Sequence, residues 1–224
     1  MKFTDYERGI IWETIDKLYE EDFLSVLMGR ESLWDWKSGS SSSNPLSVRE
    51  DVLSESGIII KSGATKIVML MEELDGWVLK TNFHHRRYDY CQREALNYLR
   101  AMEEEVDEYF AECYWFARAG SMDFYIQKRV ETGCWVEQTV KEYFEEYAGS
   151  ELGYCAEDYE TEEEYWDALS DAVENLEDTD RAAAVFCWDS RLSDFIIERD
   201  INDLHEGNYG RVDDRFYIID YSGF

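Results

Sequence analysis

The chain has 224 residues, 45% of them apolar and 16% aromatic, with Pro45 as its one proline. That length and composition exclude a disordered chain and leave room for one large domain or two small lobes around a real core. Its 51 acidic side chains against 22 basic ones give a net charge of −29, a field that repels nucleic acid and anionic membranes.

In chain order, "TDYERGIIWETIDKLYEEDFLSVLMG" predicts an opening amphipathic helix. Thr4 or Asp5 can cap it, Ile11, Ile15, Leu18 and Leu27 share one stripe, and Gly29 ends it. The next signal, "KSGSSSSNP" at residues 37–45, is a flexible connector that sets this helix apart as an extension. From Gly57 the period shortens. "GIII", "IVMLME" and "GWVLKTNF", separated by the turns "KSGATK" and "ELDG", predict a three-strand antiparallel meander. "YDYCQREALNYLRAMEEEVDEYF" predicts a helix with Cys91, Ala95, Tyr98, Leu99 and Met102 at helical spacing, and "ECYWFARAG" and "MDFYIQKRVE" predict two more strands. The remainder reads as helical: "CWVEQTVKEYFEEYAG" ending at Gly149, "TEEEYWDALSDAVENLE" with a Thr161–Glu164 capping box, and one long helix over "DTDRAAAVFCWDSRLSDFIIERD".

Several residues depart from a bland surface or core. The tail "INDLHEGNYGRVDDRFYIIDYSGF" sets Asp203 and Asn208 five positions apart, then passes a hairpin-like segment to Asp220. Carboxylate and amide oxygens of this kind hold divalent metal and orient a hydroxyl in phosphoryl transfer. Asp220 directly follows the apolar "FYII", where a buried strand emerges. Lys80 follows the apolar "WVL", so it needs a counter-ion or an anionic ligand, and Glu94 is the candidate partner. The basic cluster from His84 to Asp89, with Arg86 and Arg87, can neutralise neighbouring carboxylates, grip an acidic partner or bind a phosphorylated segment. The acidic stretch at residues 157–167 reads as an exposed loop and helix start.

The motifs "WVLK", "REAL", "DLHEGN" and "YIID" appear in the order of the protein-kinase-like superfamily, and residues 57–224 resemble it. The inner Leu-His-x-Gly-Asn wording is similar to the aminoglycoside- and choline-kinase branch and other atypical kinases, and the chain also resembles the short kinase-like proteins carried by bacteriophages. The resemblance implies an α+β, two-lobe fold. Residues 1–45 are a helical extension and linker. Residues 46–131 are an N-lobe with a five-stranded antiparallel sheet and one helix, and residues 132–224 a reduced, mostly helical C-lobe.

It further implies an ATP- and Mg2+-dependent phosphotransferase. Lys80 and Glu94 hold the α- and β-phosphates, Asp203 acts on the acceptor hydroxyl, and Asn208 and Asp220 bind the metal. Ser62, Gly63, Ala64 and Thr65 cover the phosphates, Lys128 and Val130 read adenine from a hinge, and His205 packs and orients the loop. Ile201 and Asn202 stand where protein kinases carry histidine and arginine, which implies no control by a phosphorylated activation loop. Gly223 falls one place later than in Asp-Phe-Gly. Only four residues follow Asp220, so the acceptor is small, or is held by the inserted helices at residues 134–177, or a partner supplies the missing surface, or there is no acceptor.

Two other readings stay open: a pseudokinase that binds without catalysis, and an acidic decoy that occupies a nucleic-acid-binding protein. A nucleotide, an unknown protein or small-molecule acceptor and a basic protein are the partners expected, with no direct nucleic acid and no membrane. The cysteines Cys91, Cys113, Cys134, Cys155 and Cys187 form no CxxC pair, as expected of reduced thiols in the cytoplasm without a disulfide framework or zinc site. The N-terminus lacks a secretion signal, and no apolar run reaches the ~20 residues that span a bilayer.

Overall fold

A computed structural model describes residues 3–20, 58–62, 66–82, 89–120 and 122–222, with residues 20 and 58–62 described by backbone alone. The protein is α+β, with six helices among the described residues, an antiparallel sheet and a separate hairpin. The predicted connector at residues 37–45 and the basic cluster from His84 to Tyr88 lie outside the described residues. None of the described helices is long and apolar enough to cross a membrane. The chain divides into two compact units, Met1–Leu96 with Glu112–Arg129, and Asn97–Ala111 with Val130–Phe224.

The first unit contains helix α1 (Asp5–Glu20) and strands β1 (Ile58–Ser62), β2 (Lys66–Met71), β3 (Trp77–Asn82), β4 (Cys113–Ala119) and β5 (Met122–Lys128). They pair antiparallel in the order β1-β2-β3-β5-β4, and side chains are described for β2 to β5. Strand side chains alternate between faces. Ile67, Met69, Leu79, Phe124 and Ile126 therefore share one face, where they form a core with Ile10, Ile11, Ile15 and Leu18 of α1. The opening helix is thus part of the sheet's own core. Leu27, the last member of its predicted stripe, lies outside the described residues.

The opposite face carries Lys66, Lys80, Asn82 and Gln127, a polar set brought together by register: Val68 pairs with Lys80, Lys66 with Asn82, and Val78 with Gln127. Helix α2 (Tyr90–Glu103) belongs to both units. Cys91, Glu94, Ala95, Tyr98 and Ala101 are its buried face. Leu99, expected on that stripe, is exposed because it lies about 100° round the helix from Tyr98, beside the buried row; Met102 lies on the row but in the last turn of the helix, where it is exposed. The helix also stops short of its predicted end. Glu105 adopts φ +59 and the Val106 N–H bonds the Ala101 carbonyl at 2.9 Å, which closes α2 in a Schellman turn.

The second unit holds α3 (Cys134–Glu151), α4 (Glu162–Glu174), α5 (Asp178–Phe186), α6 (Ser190–Glu198) and the hairpin β6 (Tyr209–Val212) and β7 (Arg215–Ile218). Val136, Val140, Phe144 and Ala148 recur every four residues along α3 and are all buried, and Ala148 packs with Leu169 and Ala172 of α4. The Thr161 hydroxyl accepts from the Glu164 N–H and the Glu164 carboxylate accepts from the Thr161 N–H, both at 3.2 Å, completing the capping box.

The single long helix expected over residues 178–200 is two helices. The chain breaks at Cys187, whose φ is +64, and Asp189 starts α6 by accepting the Arg191 N–H at 2.9 Å. The Tyr109 hydroxyl also donates to Asp189 at 2.9 Å, and these two bonds hold its carboxyl below the ordinary aspartate range. A side chain that satisfies a new helix start competes with continuing the old one.

The thiols divide by burial. Cys91 and Cys113 are buried, whereas Cys134, Cys155 and Cys187 are exposed and should react at once with a thiol reagent. Burial, reinforced by the nearby Glu94 carboxylate, pushes both buried thiols up, Cys113 to about 12. Above the unfolded thiol pKa of about 8.5 the native state then binds more protons than the unfolded chain, so stability falls as pH rises from there. Between pH 7 and 10 the loss from Cys113 should be about 2 kcal/mol, read from urea midpoints as the part of the pH dependence that disappears in Cys113→Val relative to the parent.

Candidate functional site

In the first unit the site is built by the junction between β3 and α2. Asn82 closes β3 and is buried; its Oδ1 accepts the Cys91 N–H at 3.0 Å and its amide donates to Asp89. Asp89 in turn accepts the Gln92 N–H at 3.0 Å, capping the start of α2. The helix N-terminus is therefore tied to the end of β3. One turn in, Glu94 faces back onto the strand two residues before Asn82, where Lys80 stands.

Lys80 Nζ lies 2.6 Å from Glu94 Oε2, and Glu94 is fully buried. Lys80 also donates to Gln127 Oε1 at 3.0 Å. Lys66, which the sequence did not single out, donates to the other carboxylate oxygen of Glu94, and its ammonium lies 5.9 Å from the centre of the Tyr90 ring. Among the described residues the cluster brings two lysines to one glutamate, with a glutamine bonded to one of them. Of the missed residues, Lys66 carried no distinguishing signal, since it only heads the apolar run "KIVMLM", whereas Gln127 carried a faint one, a polar side chain directly after the buried "FYI".

The other predicted residues of this unit are placed less fully. Ser62 is the last residue of β1; Gly63, Ala64 and Thr65 lie outside the described residues. Lys128 ends β5, its N–H donating to the Glu112 carbonyl at 2.8 Å, and the next N–H, of Arg129, donates to Gly76 at 2.9 Å.

In the second unit, α6 ends in a Schellman turn. Asp200 has φ +52, and the N–H groups of Asp200 and Ile201 bond the carbonyls of Ile197 and Ile196 at 3.2 and 3.0 Å. The chain enters a loop from Ile201 to Asn208. Ile201 and Leu204 anchor it as buried side chains, and the Leu204 N–H donates to Asp178 at the start of α5 at 2.6 Å. Between these anchors Asp203 is exposed, with φ +69. Aspartate tolerates this left-handed geometry better than most residues, and such strain gathers at functional sites. The Asn208 amide nitrogen donates to the Asp203 carbonyl at 2.6 Å, and His205 Nδ1 accepts the Gly207 N–H at 3.0 Å, bracing the loop from within.

Asn208 and Asp220 are twelve positions apart in sequence, but Tyr209 pairs with Ile218 and the Ile219 N–H donates to the Asn208 carbonyl at 2.9 Å. The hairpin thereby brings the amide and the carboxylate to one end of the unit, alongside Asp203. Two contacts set this hairpin. Gly210 lies against Val130, so closely that a Cβ there would sit 2.1 Å from a Val130 methyl, and Glu131 and Arg211 exchange backbone bonds at 2.7 and 2.8 Å. Beyond Asp220, Tyr221 is buried, edge-on to Phe110 at 4.9 Å between centroids, its carbonyl accepting from Asn97 at 2.7 Å. Ser222 Oγ donates to Asp220 Oδ1 at 3.3 Å.

The donor set fits magnesium. Asn208 commits its nitrogen to Asp203, which leaves the amide oxygen for a cation, and Asp220 adds a carboxylate. Mg2+ is held through one or two carboxylates, substrate phosphates and water, so it does not require an all-protein cage. Among the described residues no group of three or more His, Cys, Asp or Glu side chains could hold a metal ion. Comparisons with known protein families, curated proteins and solved structures found no match.

Proposed function

We propose that the chain is an ATP- and magnesium-dependent phosphotransferase of compact, atypical protein-kinase-like type, acting on a hydroxyl acceptor. The observation that carries this reading is the buried ion pair of Lys80 with Glu94, a strand lysine held at 2.6 Å by a carboxylate from the helix that follows. Removing two charges from water is costly and gains little stability over apolar packing, so such a pair is better accounted for by a ligand that uses it. The Asp203–Asn208–Asp220 group supports the same reading.

Lys80, steered by Glu94 and Gln127, holds non-transferred phosphates. Asn208 and Asp220 supply the oxygen ligands for the cation, and the Lys128 carbonyl and Val130 N–H are assigned to adenine. Asp203 accepts or orients the proton of the acceptor hydroxyl; it is exposed, and hydrogen-bond reach is all the role demands. When bound, Mg–ATP supplies the phosphoryl group and the charge neutralisation that its transfer needs. Catalysis by these residues is positioning and electrostatic stabilisation.

The purified protein should hydrolyse ATP or phosphorylate itself in the presence of magnesium and lose that activity on chelation. At a hundredfold excess over Kd, Mg–ATP should raise the melting temperature by about 5–10 °C. Asp220→Ala should abolish the activity and most of the shift. Equal silence of both proteins, with no melting shift in either, rejects the enzyme and the pseudokinase together; a shift without turnover leaves the pseudokinase.

A further inference from the structure

We propose that Asp178 is a positioning residue for Asp203: it grips the peptide that follows Asp203 and so sets the direction of the Asp203 carboxylate. The inference rests on the phosphotransferase reading above and adds to it a residue from another helix. The Asp203–Leu204 peptide unit is held at both ends by side chains. Its carbonyl accepts the Asn208 amide at 2.6 Å, and its N–H donates to Asp178 Oδ1, also at 2.6 Å.

A peptide unit is planar, so bonds on its two opposite edges fix its orientation, and turning it breaks both. Asp203 is the loop residue that needs such a grip. Its side chain is exposed and its φ is +69, a conformation that persists only where the surroundings over-determine it. With the buried Ile201 and Leu204 as anchors and the intervening peptide gripped, the main chain of Asp203 is set, and the direction of its Cα–Cβ bond follows. A simpler role is open to Asp178. It lies in the first turn of α5, where a carboxylate left in water already complements the helix dipole. Instead it is half-buried and reaches an N–H 26 positions further along the chain. It also adds to the burial that pushes the Tyr209 phenol up, so the carboxylate is turned toward the loop and the hairpin. The Asn208 bond braces the loop from within, whereas the Asp178 bond ties it to a helix, and a site held by a regular element is placed more precisely than one on a loop alone.

The test measures kcat and KM for ATP, with magnesium, in the parent, Asp178→Ala, Asp178→Asn, Asp203→Asn and the double variant of Asp178→Ala with Asp203→Asn. Amide hydrogen exchange at Leu204, followed by NMR, reads the grip itself without turnover. Misplacing a catalytic group by about 1 Å costs up to about a hundredfold, so Asp178→Ala should lower kcat about ten- to a hundredfold and leave KM unchanged. Exchange at Leu204 should quicken about tenfold, the worth of a hydrogen bond to a charged acceptor. Asp178→Asn keeps an oxygen that accepts the Leu204 N–H and should recover most of both losses. In the Asp203→Asn background the alanine should cost nothing further, because the carboxylate that Asp178 positions is gone. A purely structural Asp178 gives another pattern: Asp178→Ala lowers the melting temperature and keeps kcat, or loses kcat by the same factor in both backgrounds. Either pattern, or unchanged exchange at Leu204 in Asp178→Ala, overturns the proposal while the phosphotransferase reading stands. A parent protein that transfers no phosphoryl group overturns both.

Discussion

Glu94→Ala should cost about 3–5 kcal/mol of folding stability, the range for removing one partner of a buried ion pair. The alanine leaves Lys80 and Lys66 buried around an emptied position, where their ammoniums have lost the carboxylate that held both. Lys80→Met should cost clearly less, because Glu94 keeps Lys66 and the methionine packs against the same sheet face. Urea unfolding at pH 7 gives both values, with the slope unchanged if only stability moves. Equal penalties for the two substitutions would mean that Glu94 is not the hub of the cluster. Glu94→Gln should fall between them, since the amide still accepts hydrogen bonds but no longer offsets the two positive charges.

Asp203→Asn should lower kcat by about 10²–10⁴-fold while leaving the melting temperature in place. Asparagine adopts left-handed φ as readily as aspartate, and the backbone carbonyl still accepts the Asn208 amide, so the loop keeps its form and loses only the carboxylate. Asp203→Ala should lose the same activity and also about 1–2 kcal/mol, the cost of φ +69 for a side chain with a plain Cβ. Glycine at this position should restore the stability and not the activity. An asparagine variant with activity within a few-fold of the parent would remove Asp203 from the chemistry and return it to a loop-forming role.

Glu94 could be found in the sequence because a charged residue lies on the stripe of Cys91, Ala95 and Tyr98, and the helix buries that stripe. Lys80 could be found for the same kind of reason, since it directly follows the apolar "WVL" inside a strand. Lys66 could not, because a lysine at the head of an apolar run is ordinary at the edge of a strand. Only pairing with β3 places it on the face of Lys80. The break between α5 and α6 was written in Asp189 and Ser190, a capping pair inside a continuous apolar pattern. The Tyr109 hydroxyl, eighty positions away, reinforces that cap and no local window contains it. The exposure of Leu99 shows the same limit: a helical period identifies a stripe, but the packing partner selects which part of it is covered.

Composition and spacing by themselves determined the α+β character, the starts of α1 to α5, the alternation within strands and the acidic charge of the chain. These depend on contacts within a few residues along the chain, or on totals. Tertiary structure alone decided that Lys66, Lys80, Glu94 and Gln127 form one cluster and that Asn208 and Asp220 share a hairpin end. Both depend on strand register, and shifting a strand by one residue turns every side chain to the opposite face. That choice is made by burying Ile67, Met69 and Leu79 against α1, on the face of the sheet away from the lysines.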